Sequence, residues 1–416
     1  MNRLNNQSGA IAVITAIMLT MLLGFVALSI DTGHLVVTKN ELQNAADAGA
    51  LAGARELYSP DGSAIQISCN QTAFDIATSN LSEKISVEVN WVGGNAGDIE
   101  RGHWSFGRGT ILPRGFYPSA SLSPVTLWGV SLGDLDDNSN FINAVRVTTR
   151  REATPIASYF ANLFGYSDFK QRATAVGYIG FAGAFAKYEL EQPIAICYES
   201  VTSIDANGNV VFDCNNGRMI NSGTDPTTSN SGGWTDFDQS GACSGVNSSD
   251  LISLMTCDPF SGNLDNIVGG TLETGGGQIQ SVYDAFSACW VLKTGKIIPW
   301  KIKLPVVMCP GNNVGNCSEF VGGIVVEIVW ITGGGTDPSY KDAPTQMDIW
   351  SSSDPDGKIR WASFVNHFGL KNVDGSDAIY AKKSIYFKPS CDATIPSGGP
   401  GGANLGVLAR IPVLVD

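Results

Sequence analysis

Gly9–Ile30, GAIAVITAIMLTMLLGFVALSI, holds no charged residue across 22 positions and runs without a break toward Glu41–Tyr58, ELQNAADAGALAGARELY. At the α-helical rise the apolar stretch is about 33 Å long, enough to cross a hydrocarbon layer of roughly 30 Å. It reads as a single membrane span. Arg3 and the terminal amine precede it, and Asp31 follows at once, with Lys39 and Glu41 beyond. The basic excess is small, yet it favours a cytoplasmic N-terminus with the bulk of the chain outside. The alternative is a cleavable signal, with Ala27-Leu28-Ser29 as an A-x-A-like site before Ile30. Against it, a signal's apolar region is usually about 7 to 15 residues long, and no helix breaker precedes this site.

Past the span, Ala45, Gly49 and Gly53 recur at every fourth position, as do Ala46, Ala50 and Ala54. Two adjacent stripes of one helix therefore carry almost no side-chain bulk, and another backbone can approach them closely. Either the chain's own sheet fills that approach or a helix of a partner does. Asp47, inside the run, reads as solvated or as a cap to a neighbouring segment.

The stretch Gln7–Tyr58 resembles the N-terminal region of the TadG-like proteins of Flp (Tad) pilus assembly. That pattern is a short polar head ending in Gly, an apolar span, an Asp-containing exit and then LQNAADAAALAGA, which Leu42–Ala54 follows almost letter for letter. Weaker matches at Asn143–Arg151, Pro155–Gly165 and Arg172–Gly180 extend the resemblance to about residue 185. It implies a non-enzymatic structural or assembly component, minor pseudopilin-like, in the bacterial inner membrane with a periplasmic body. It also implies other Tad/Flp pilus proteins as partners. A prepilin-type cut after Gly9 is a further alternative, although Ile14 stands where major pilins carry a glutamate. Many large members of the family carry a von Willebrand A domain, whose metal site needs D-x-S-x-S. The chain has none, and its nearest acidic cluster, Asp236-Phe-Asp238-Gln-Ser240, lacks the serine spacing.

Composition fits an exported body. Lys and Arg total 26 against 39 Asp and Glu, a net charge of −13, which argues against nucleic acid as a partner. Charged residues make up 16% and glycine reaches 48 of 416, pointing to a loop-rich, β-leaning chain. Eight of the nine cysteines, Cys197, Cys214, Cys243, Cys257, Cys289, Cys309, Cys317 and Cys391, fall in the C-terminal half, with Cys69 alone before them. An even, regionally confined set without C-x-x-C reads as a disulfide framework, and Cys309 with Cys317 across PGNNVGN is the expected local pair.

Punctuation divides the chain into a head (1–8), a span (9–30), an α+β region (31–185) and a β-rich disulfide-containing region (186–416). The fold class is thus α+β, with the long pilin-like helix packed on a sheet. Ser59-Pro60-Asp61-Gly62 stops the first helix, and a second is expected over Gln71–Asn80. Ile85, Val87, Val89 and Trp91 alternate as in a half-buried strand, with further strands over Gly102–Phe106, Ala144–Thr149 and Ala173–Ile179. An amphipathic helix is expected at Pro155–Gly165 through Ile156, Phe160 and Phe164. Beyond Pro193, strands are expected at IAICY, NVVFDC, Ile302–Met308, Gly323–Ile331, Ser384–Phe387 and VLARIPVLV. Helices are expected at Ser248–Thr256 and Gly277–Leu292, a surface loop at Ser222–Gly241 and a flexible segment at Thr394–Asn404.

There is no H-E-x-x-H, Walker sequence or strand-linked G-x-G-x-x-G, and no cofactor is implied; the one G-x-S-x-G match is Gly129-Val-Ser131-Leu-Gly133. Gly275-Gly276-Gly277 reads as a turn entering a helix. The pairs Asp136 with Asp137 and Asp354 with Asp356 read as solvated turns. Asp205-Ala-Asn207-Gly-Asn209 starts like a calcium loop but lacks its Gly and Glu, so Asn207-Gly208 reads as a hairpin turn. An alternative function is an anchored adhesive or ligand-binding envelope protein, for which an exposed Trp234 is the main lead.

Overall fold

One helix, α1 (Gln7–Arg55), carries the span and the small-residue segment through 49 residues in a computed structural model of the chain. The structure describes residues 7–220, 232–255, 257, 264–277, 279–312, 314–332, 344, 358–372, 374–381, 383–392 and 397–416. No proline interrupts α1 and its glycines stand singly, so the backbone ladder is continuous. From Ile11 to Ile30 its side chains are almost wholly uncovered by protein, whereas Leu42, Ala45, Ala46, Ala50 and Ala54 are buried.

What buries them is an N-terminal α+β module. Helix α2 (Ser68–Ser79) lies along α1, followed by a small hairpin of β1 (Leu81–Ser82) and β2 (Ile85–Ser86). Strands β3 (Ile99–Ser105), β4 (Gly115–Pro118), β5 (Ala144–Ala157) and β6 (Asp168–Tyr178) form an antiparallel sheet, with the short α3 (Leu132–Asp136) between β4 and β5. Val145, Val147, Ala175 and Ile179 close the core against Ala46, Ala50 and Ala54 of α1 and Ala73 and Ala77 of α2.

Two expectations here need correction. The strand expected through Ile85, Val87, Val89 and Trp91 is reduced to the short β2 at Ile85–Ser86 and a single bridge of Glu88 with Arg150 of β5, and Ile85 is exposed. Glu83 and Lys84 both adopt positive φ and make a tight turn, and with α2 ending at Ser79 the chain before that turn supplies only Leu81–Ser82 as a partner strand. The amphipathic helix at Pro155–Gly165 is instead the end of β5, where Ile156 pairs with Phe169, followed by a 3-10 turn over Ala161–Phe164. Ile156 is buried in the ladder, while Phe160 and Phe164 face outward.

The C-terminal module begins with β7 (Ala182–Phe185) and β8 (Ile194–Cys197). Then come the hairpin β9 (Thr202–Ile204) and β10 (Val210–Phe212), β11 (Arg218–Ile220), β12 (Gly232–Thr235), α4 (Ser248–Leu254) and β13 (Asn266–Ile267). After these follow β14 (Thr271–Gly275), α5 (Gln280–Thr294), β15 (Trp300–Val307), β16 (Cys317–Thr332), α6 (Lys358–Phe368), β17 (Ser384–Pro389) and β18 (Gly399–Pro400). The main sheet has the order β11-β17-β16-β14-β12-β8-β15, and β15 also pairs with β16, so five of these strands close a hydrogen-bonded ring. β7 forms a separate small sheet with β13 and β18.

The apolar stretch Ile324–Ile331, IVVEIVWI, lies in the central strand β16. The one charge within Ile324–Ile331, Glu327, is tolerated because the register sets it between Lys301 of β15 and Lys388 of β17. Helix α5 covers this strand, and the Trp290 indole N–H donates to the Ile328 carbonyl at 3.2 Å.

The final strand, β19 (Val413–Leu414), leaves this module and pairs with β6 in the N-terminal sheet. Side-chain and backbone bonds add to that return, with Asn404 Nδ2 donating to the Leu127 carbonyl at 2.6 Å and Gly129 N–H to the Phe212 carbonyl at 2.8 Å.

In the stretch expected as a surface loop, residues 222–231 lie outside the described residues, but Gly232–Thr235 is a buried strand. Trp234 is 2% exposed, packs edge-on to Tyr283 and donates its indole N–H to the Gly277 carbonyl. Asp354 and Asp356, and residues 394–396 of the expected flexible segment, also lie outside the described residues. Asp205 closes the β9–β10 hairpin, its carboxylate accepting the Asn207 and Asn209 N–H groups at 2.8 Å each.

Four disulfides tie the C-terminal module: Cys197–Cys309, Cys214–Cys391, Cys243–Cys317 and Cys257–Cys289. The expected local pair Cys309–Cys317 does not form. Val307 is in register with Cys197 across β15 and β8, so Cys309, two residues further along the same face, meets Cys197. Cys317 opens β16 beside Glu273 of β14, and the Ser244 hydroxyl donating to the Glu273 carboxylate brings Cys243 to it. The pairs span separations of 32 to 177 residues, so each closes a large loop of the unfolded chain. Cys69 is buried in the N-terminal core, and burial pushes its thiol up to about 12. Thiol titration should therefore find no reactive thiol in the native oxidised chain and one after denaturation without reductant. Three or more under the second condition would contradict the framework.

Candidate functional site at the membrane exit and the outer half of α1

Asp31, the first residue beyond the apolar run, is 5% exposed although it sits on a helix leaving the span. Its carboxylate accepts the backbone N–H groups of Tyr159 at 2.8 Å, Phe160 at 3.1 Å and Ala161 at 2.6 Å. Desolvation opposes its charge, but these three donors and the nearby His34 outweigh it and hold the carboxyl below its ordinary value. These are the N–H groups at the start of the 3-10 turn, which has no side-chain cap of its own. The tip of the β5–β6 hairpin is thus fastened to the point where α1 leaves the apolar segment.

A second set of bonds lies one turn further out. His34 and Arg151 both engage the Glu83 carboxylate, and the Glu83 N–H donates to Glu41 of α1 at 2.9 Å. Arg151 is 2% exposed and also donates to the carbonyls of Ser82 and Thr154 at 2.7 and 2.6 Å. Glu88 accepts the N–H groups of Glu152, Ala153 and Thr154 and the Thr154 hydroxyl. Desolvation works against that carboxylate, yet the four donors lower it from 4.5 to about 2. With its folded value depressed, its contribution to stability is present above pH 4.5 and is lost as the pH falls toward 2. These polar contacts hold α1 against the irregular part of β5, where the ladder is interrupted between Arg151 and Ile156.

Farther out, the two small-residue stripes meet protein on both sides. A Cβ at Gly49 would stand 2.8 Å from the Ala73 carbonyl oxygen, 2.9 Å from the Ala77 Cβ and 3.3 Å from Val147 Cγ1. One at Gly53 would stand 2.9 Å from the Ala73 Cβ and 2.9 Å from Val145 Cγ1. On the sheet side, a Cβ at Gly177 of β6 would fall 2.4 Å from the Ala50 carbonyl oxygen. Ala45 packs with Leu42, Val87 and Ala173, and Ala46, Ala50 and Ala54 join the main core of the module. Asp47 accepts from Gln43 Nε2 at 2.8 Å within the helix.

Other acidic residues have structural work. Asp136 is buried and accepts the N–H groups of Phe106 and Arg108, and Asp137 accepts those of Thr110, Ile111 and Leu112. They clamp the β3–β4 connection rather than forming a solvated turn. An open groove of about 860 Å³ lies between the last turns of α1, α2 and the segment Ala409–Pro412.

A family model described as Flp pilus-assembly TadE/G-like matches residues 9–56, and one described as Tad-like Flp pilus-assembly matches residues 52–176. Over residues 9–176 the chain belongs to the TadE/TadG-like family of Tad/Flp pilus-assembly proteins. No curated protein and no solved structure matches it. The two Tad matches overlap at the end of α1 and the second ends inside β6, so together they cover the span and most of the N-terminal module. As a Tad-like protein it is a membrane-associated structural component.

The packing geometry makes a signed prediction. Gly→Ala at an exposed helix position stabilises by about 1 kcal/mol. Gly33→Ala, with nothing within 4 Å, should show that gain or no change. Gly49→Leu should instead lose roughly 1 to 3 kcal/mol through overpacking. Thermal unfolding of the two variants is the check, and equal stability would show that the close approach has no energetic weight.

Proposed function

We propose that this Tad protein is a minor pseudopilin-like component with a cytoplasmic N-terminus, a single uncut span and a periplasmic body that associates with other Tad/Flp proteins. The observation that carries the reading is the division of α1: about half is uncovered apolar surface of bilayer length, and the rest is core of the folded module. Such a helix couples lateral contacts in the membrane to the position of the body outside it. The charge asymmetry about the span supports the orientation. The four disulfides fit an oxidising compartment.

The adhesive or ligand-binding alternative loses its main lead with Trp234 buried. Two measurements test the proposal. Alkaline phosphatase fused after Leu57 should be active, whereas an inactive fusion there with an active cytoplasmic reporter would reverse the orientation. Detergent-solubilised full-length protein should bring other Tad/Flp components with it on affinity purification. Recovery of the protein with none of them, under conditions that preserve the assembly, would contradict the role.

A further inference from the structure

The eight residues from Tyr159 to Tyr166, YFANLFGY, contain no charge and five large apolar or aromatic side chains. The N-terminal core uses none of them fully: Tyr159 is 64% exposed, Leu163 81%, Phe164 74% and Tyr166 64%. In water such a cluster at a hairpin tip would be costly, and neighbouring patches of this kind mark interaction surfaces. Its placement says what covers it. Asp31 holds the backbone of Tyr159, Phe160 and Ala161, and the rings of His34 and Tyr159 lie 5.0 Å apart. Asp31 directly follows the 22-residue apolar run, so the tip is fixed at the height where α1 leaves the hydrocarbon. Val36 and Val37, on the next turns of α1, are also exposed.

We propose that the β5–β6 tip is a second membrane contact, with Leu163 and Phe164 entering the interfacial layer of the leaflet from which the body emerges and Tyr159 and Tyr166 seated at headgroup level. The chemistry matches that layer, where amphipathic rings with one polar end are enriched and apolar side chains point inward. The mixed headgroup region extends several ångströms beyond the hydrocarbon on each side, within reach of a tip fastened at the exit residue. A span alone leaves the body free to swivel and tilt about one axis. A span plus a lateral anchor fixes the face that the body turns to the membrane. The inference rests on α1 being a membrane span, and not on which side of the membrane the body occupies.

The test uses full-length protein in phosphatidylethanolamine–phosphatidylglycerol nanodiscs, with a nitroxide at Leu163→Cys and collision accessibility to oxygen and to a water-soluble nickel chelate. Leu22→Cys in the span and Gln71→Cys on α2 serve as the lipid and water references. Cys69 is buried with its thiol pushed up to about 12, so it stays unlabelled in the folded protein. Position 163 should favour oxygen severalfold over the Gln71 reference and fall short of the Leu22 reference. An accessibility ratio equal to that of Gln71, or shielding from both reagents as in a protein–protein contact, would overturn the proposal. If Leu22 itself read as aqueous, the span reading would have failed, and the two failures are thereby separable.

Discussion

The close approach of three backbones around α1 is the constraint on which the rest depends. α1 is about half covered by no protein and half buried in a module, and only side chains the size of hydrogen or methyl let α2 and β6 come near enough to make one core. Gly49 and Gly53 face α2 and β5, and Gly177 returns the favour from the sheet. With little side-chain area on α1 itself, the apolar burial comes from what it lets close behind it: Val145, Val147, Ile142 and Ile179. The small residues therefore contribute mainly by permitting contact between larger ones.

Polar contacts then set where along α1 the module begins. Asp31 is the hinge point between two solvents, and it is stabilised as a carboxylate by backbone donors rather than by a lysine or arginine. Glu83, Arg151 and His34 extend the fastening outward by a turn. A buried charge without such partners would be strongly destabilising, so these contacts fix register as much as they add stability. The return of β19 to β6 ties the disulfide-rich module to the same sheet, so that both modules hang from one helix.

Much of this was legible in residue patterns because the decisive features are local in sequence. The apolar run, the fourfold spacing of Ala and Gly, the strand at Ile324–Ile331 and the evenly numbered cysteines each announce themselves within a short window. What was not legible depends on partners distant in the chain. Ile156, Phe160 and Phe164 keep a helical spacing, yet Ile156 is captured by Phe169 in a ladder and the following N–H groups by Asp31. Asp136 and Asp137 sit among turn-forming residues, but their acceptors are taken up by a loop some 25 to 30 positions earlier. Trp234 lies in a polar stretch, and its burial needs β8 and β14 on either side. Cys309 and Cys317 are close in sequence, while their sheet registers direct them to Cys197 and Cys243. The fastening of Asp31 left only one trace, a lone acid at the end of an apolar run.

The central claim is that the outer half of α1 belongs to the cooperative core of the module and is more than a stalk connecting it to the membrane. Hydrogen exchange of the full-length protein in nanodiscs measures this directly. The account predicts that the amides of Ala45–Ala54 exchange only through the same global opening that exposes β5 and β6, with matched protection and the same sensitivity to denaturant. Exchange of Ala45–Ala54 at markedly lower free energy than those strands, with the sheet still protected, would contradict it.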